Sequence, residues 1–194
     1  MVTARELTQV LGDIAPGLTY IRLSEECFAE PAMSDAKPLY ETDVVLWSEQ
    51  QAAALRSGAR SGSNLDLDWE NLAEEIESVG RSERHELKSQ IHRIIEHLLK
   101  LEHSSARYPR RGWVRSIDDA RDAIERIVED SPSLRGEIDV FLRAETKRAI
   151  RRAIKDLRNY GEIDPVVLVR MQNATYTPEQ VVDDWFPPEP EGQA

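Results

Sequence analysis

The chain has 194 residues, 40% of them hydrophobic and one a cysteine. That suits one domain with a real core and excludes a disulfide-built or cysteine-rich zinc fold. A net charge of −11 sets the molecule as a whole against nucleic acid and anionic membranes.

Residues 1–38 read as an N-terminal extension. Thr3 to Glu6 has capping-box spacing, and Leu18–Leu23 alternates weakly like a strand with no partner strand. Cys27 sits among Glu25, Glu26 and Glu30, with nothing to stabilise a thiolate. Met33 offers a second start. The first residues lack the continuous apolar core of a secretory leader. The longest apolar runs, Val44–Trp47 and Val166–Val169, are far too short to span a bilayer. The expected location is the cytoplasm.

From Asp43 the helical signals become regular. Thr42 or Asp43 can cap a helix carrying Val44, Trp47, Ala54 and Leu55, with Gly58 as its stop and 57–64 as a Gly/Ser loop. Asp66 or Asp68 caps a second helix with Trp69, Leu72, Ala73, Ile76 and Val79 facing inward. Gly80 ends it, and Ser82 caps a third helix from about Glu83 to Ser104. That helix buries Leu87, Ile91, Ile94, Ile95, Leu98 and Leu101. His85, His92 and His103 form a solvated line on its other side, and His97 flanks the core stripe.

Residues 107–115 read as a loop broken by Pro109 and Gly112. A helix from about Ser116 follows, with Ile117, Ala120, Ile124, Ile127 and Val128 as its stripe. Ser131–Pro132 opens a long basic helix to Asn159. Short helices are expected after Asp164–Pro165 and at Thr177–Gln180, then an apolar plug at Trp185–Phe186 before the prolines end the order. The fold expected is all-α, an up–down antiparallel helical bundle of about five main helices with short C-terminal helices. Its domain is 39–187, with 188–194 a disordered tail.

Several separated blocks resemble one family. They are Tyr40–Trp47, Leu65–Leu87, His97–Leu101, Trp113 with Arg121, Glu129–Leu134 and Tyr176–Pro187. In this order they look like the bacterial domain-of-unknown-function family number 29. The resemblance implies an all-helical bacterial domain and no activity.

The Arg107, Arg110, Arg111, Trp113 and Arg115 cluster, with Tyr108, is the best candidate for binding anions or nucleic acid, since arginines clamp phosphates and aromatics stack on bases. Arg107–Arg158 holds 14 Lys and Arg against 10 Asp and Glu, while the rest of the chain holds 11 against 26. His92 and Glu96, four apart, can share an ion but show no third ligand. His97 with Glu74 or Glu75 is the candidate acid–base pair, or a structural hydrogen bond that fixes helix register. No phosphate loop, nucleophile elbow or zinc-protease motif is present. No cofactor is expected. The expected role is a non-enzymatic protein-interaction or scaffold module with a protein partner or a second copy. Two alternatives stand beside it: a nucleic-acid-binding module using Arg107–Arg115 and the basic helix, disfavoured by net charge, and a small-ligand or hydrolytic site around Glu75 and His97.

Overall fold

A computed structural model describes residues 38–61 and 65–188. The expected features of the extension (the capping box at Thr3, the strand-like run, Cys27 and Met33) and the end of the tail lie outside the described residues. Within them the chain is all helical. The elements are α1 (Leu39–Thr42), α2 (Val44–Arg60), α3 (Trp69–His103), α4 (Arg110–Asp130), a 3-10 turn (Pro132–Glu137), α5 (Ile138–Asn159), α6 (Pro165–Gln172) and α7 (Pro178–Val182). The long helices run up and down in an antiparallel bundle, with α2, α4 and α5 all packed on α3.

α3 is the spine. It has 35 residues, about 52 Å at ~1.5 Å rise per residue. The sequence suggests two helices broken at Gly80, but the chain passes through Gly80 without interruption. The glycine is there for space. A Cβ on Gly80 would come 2.6 Å from Ser48 Oγ of α2. Both residues are buried, so the two helices approach closely at a point where neither carries bulk. Ser82 does not cap a new helix; its hydroxyl donates to the Ser78 carbonyl, 2.9 Å away. Ion pairs flank the crossing: Arg56 with Glu77 at 2.8 Å and Arg84 with Glu49 at 2.7 Å.

The second half of α3 enters the main core. Leu87, Ile91, Ile94, Ile95, Leu98 and Leu99 are fully buried with Ile117 and Ala120 of α4 and Ala149 and Ala153 of α5. At ~25 cal/mol per Å² of apolar area, this interdigitated stripe is the main stabilising term. The first half is barer: Leu72 is 41% and Val79 38% exposed, where the sequence pattern places both inside. Among the described residues α2 is the main cover of that half, with Glu137 of the 3-10 turn reaching Arg84 at its end, so the residues turned away from α2 stay in water.

The α2 and 3-10 starts cap each other. Asp43 is buried and accepts from Leu46 N at 2.8 Å, as an N-cap should. It also accepts from Ser133 N at 2.7 Å and Ser133 Oγ at 3.0 Å. In return Val45 N donates to Ser131 Oγ. The expected long helix after Ser131 thus begins as a 3-10 turn. At the C-terminus the capping box between Thr177 and Gln180 is formed as the sequence predicts.

Candidate functional site

The histidine helix is sorted by what packs on it. His85 is exposed. His92 Nδ1 lies 3.2 Å from Glu145 Oε2 of α5 and its Nε2 3.8 Å from Glu96. Glu145 is the third carboxylate or imidazole group that the sequence does not reveal. Its other oxygen holds Arg148 at 3.2 Å, and Glu96 holds Lys100 at 2.6 Å. Lys100 reaches on to Asp156 at 2.8 Å. Cations therefore already occupy the carboxylates that would face a metal. Among the described residues no group of three His, Cys, Asp or Glu side chains is arranged to hold one. The cluster is a ladder of alternating charge that locks α3 to α5. Lys100 is buried, and its two carboxylate partners hold its pKa above the ordinary value against the opposing pull of burial.

Among the described residues His97 makes no hydrogen bond or ion pair to a carboxylate of another helix. Glu74 and Glu75 sit on the same continuous α3, more than five turns away, roughly 33 Å at ~1.5 Å per residue. The Glu75–His97 acid–base reading, and the register-fixing bond proposed for it, both fail on this distance. His97 Nδ1 is buried with no hydrogen-bond partner among the described residues. Burial, then the nearby Lys100, pushes the imidazole below its ordinary pKa, so it is neutral near pH 7.

A third buried polar group, Arg121 of α4, anchors the C-terminal segment. Its guanidinium donates to the carbonyls of Val181 at 3.1 Å, Gln180 at 3.0 Å and Trp185 at 2.6 Å. These include carbonyls that the short α7 leaves without helical partners. The group also lies over the Phe186 ring, 4.8 Å from its centre. Thus Arg121 and the Tyr176–Pro187 block, both noticed in the sequence, meet as a structural tie. Nearby, Tyr176 donates to Glu102 at 2.9 Å, and burial raises the pKa of both groups.

The arginine cluster is built differently from expectation. Residues 110–115 are not loop: α4 begins at Arg110, with Pro109 at the N-cap and no side-chain cap. Arg110 donates to the Leu101 carbonyl at 2.9 Å, closing the end of α3. Trp113 is half-buried against the core. Arg107, Arg111 and Arg115 are exposed, and with Arg110, Val114 and Phe186 they line a cleft of about 700 Å³. Among the described residues Arg111 makes no ion pair or hydrogen bond, and Arg115 pairs loosely with Asp119 at 4.0 Å. Tyr108 is fully exposed, its ring bare to solvent. Four cationic side chains thus crowd a helix start that already carries positive dipole and offers no acidic residue in its first turn.

The same charge extends along α5. Lys147, Arg151, Lys155 and Arg158 are exposed and have no acidic partner among the described residues. At ~100° per residue they fall within an arc of roughly 80°, away from buried Ala149, Ala153 and Leu157. The α4 start meets the end of α5 at a cleft of about 540 Å³, where Pro109 and Trp113 stand with Arg152, Asp156, Tyr160 and Glu162.

Comparison with known proteins gives a family and a fold. Residues 39–186 match the family described as Domain of unknown function DUF29. An α-helical protein of unknown function from Rhodospirillum rubrum is 25% identical and superposes with a TM-score of 0.59, covering 78% of this chain and 100% of that one. No curated protein matches the chain.

Proposed function

We propose, for a chain that belongs to the DUF29 family, that it is a non-enzymatic binding module that takes an anionic partner on the face formed by the α4 start and the outer side of α5. One observation carries this: Arg111 at the α4 start and Lys147, Arg151, Lys155 and Arg158 on α5 are exposed with no acidic partner among the described residues, in a molecule of net charge −11. Like charges at i,i+4, such as Lys147–Arg151–Lys155, destabilise a helix by roughly 0.2–0.5 kcal/mol a pair, and cations at a helix N-terminus are disfavoured by a similar amount. A fold that only needed solubility has acids in abundance to place there. The titratable groups elsewhere support the same reading. His92, Glu96, Glu145, Lys100 and Asp156 neutralise one another between helices, and Arg121 holds a chain end.

The test uses Arg111→Glu. If the cations serve a partner, the variant is more stable than the parent by about 0.3–1 kcal/mol in urea, because it relieves the helix dipole and the like-charge pairs. It also binds a heparin oligosaccharide more weakly at low salt. A variant that is less stable and binds as well as the parent would refute the proposal. So would a parent protein that does not bind heparin at tens of micromolar.

A further inference from the structure

The proposed anion-binding face carries a second feature that phosphate charge alone does not require. Tyr108 is 100% exposed and Tyr160 78%, the two barest large hydrophobic side chains among the described residues. Each stands against arginine. Arg107, Tyr108 and Arg111 by themselves line a cleft of about 460 Å³. Tyr160 lines the cleft of about 540 Å³ with Pro109, Trp113 and Arg152, the last paired with Asp156 at 3.6 Å, and with Glu162. Pro109 is the next residue to Tyr108, so the two clefts flank the same helix start.

An exposed aromatic ring beside a guanidinium offers a planar platform and a charge within one nucleotide's reach. We infer that this face binds single-stranded nucleic acid, with Tyr108 and Tyr160 stacking on bases while Arg111 and the outward cations of α5 hold phosphates; the inference rests on the anion-binding reading above. A duplex keeps its bases stacked on one another and offers a protein surface mainly phosphates, so it has no use for the two rings. An acidic polypeptide would meet the charge and leave the rings unused. Single strands use both, and stacking of this kind is indifferent to sequence. The basic arc of α5 ends at Arg158, two residues before Tyr160, and supplies further phosphate contacts.

Fluorescence anisotropy with a labelled single-stranded oligonucleotide, its duplex and an abasic strand tests this, with heparin binding measured alongside. The full chain and the variant Tyr108→Ala/Tyr160→Ala are compared; both side chains are exposed, so the fold is retained, and circular dichroism checks it. The single strand is expected to bind roughly ten-fold more tightly than the abasic strand, and the double variant to lose that margin while holding heparin as before. Equal binding of intact, abasic and duplex DNA, with no effect of the double variant, overturns the stacking inference and leaves the anion-binding reading standing. Binding to polyglutamate but to no nucleic acid does the same. Failure to bind any polyanion removes both.

Discussion

Buried polar side chains in this molecule are tie points. Arg121 is the clearest. Removing its fork takes the donor from three carbonyls, the Val181 one buried and two part-buried, and an unsatisfied buried acceptor costs about 1–3 kcal/mol. Arg121→Met should therefore lower stability by roughly 3 kcal/mol, read from the urea midpoint, and Arg121→Lys should recover only part, since an ammonium cannot span three carbonyls. Full stability in either variant would mean that the C-terminal segment is not held this way. His97 gives a pH prediction. The folded chain keeps it neutral, against Lys100 and Arg93 on one side of the charge balance and Glu96 and Asp156 on the other. The unfolded chain takes up its proton near 6.5. Stability from this group is thus complete above that pH and lost as the pH falls toward the lower folded value. Burial depresses His103 in the same direction. The protein should be less stable at about pH 5.5 than at pH 7.5, and His97→Gln should shrink that difference. An undiminished difference would place the proton uptake elsewhere. None of these partners was legible from spacing. Arg121 lies 60 residues from Val181, and the same sequence pattern suits a solvated arginine as well as a buried one.

At the scale of elements, periodicity located the helices, because apolar side chains at i, i+3 and i+4 have few uses besides a core face. It misread the punctuation. Gly80 looks like a stop in one dimension and is a crossing point in three. The distinction depends on Ser48, more than thirty residues earlier, which no local signal connects to it. A double-mutant cycle measures the contact. Gly80→Ala alone should cost about 1–3 kcal/mol from overpacking against Ser48 Oγ. In a Ser48→Ala background the obstructing atom is gone and the next contacts are an ordinary 3.6 Å. There Gly80→Ala should be neutral or should stabilise by up to ~1 kcal/mol through helix propensity. Equal costs in both backgrounds would show that the close approach is not what the glycine serves. Pro109 and Gly112 misled in the same manner. Together they suggest a loop, yet a proline at the N-cap leaves the first turn free to form, and Gly112 has open space around it. That change of reading matters for the site, because it converts a loop of arginines into arginines fixed on the first turns of a helix.

The whole molecule is electrically divided. The block Arg107–Arg158 is mildly basic and the remainder strongly acidic. Total charge therefore understates what one face can attract, since exposed charges beyond about 10 Å are screened at moderate salt. No helix among the described residues is long and apolar enough to cross a membrane. The exposed apolar residues Leu72 and Val79 lie on the α2-covered half of α3, on a different stretch of chain from the basic face. Composition showed the division, but not that α5 turns its unpaired cations outward while pairing the rest with acids. The most direct test of the account is the salt dependence of binding to a short single-stranded oligonucleotide. With about four phosphates neutralised, log K should fall linearly with log salt at a slope of about −3. A flat response between about 50 and 200 mM salt, or no binding at the lower value, would contradict it.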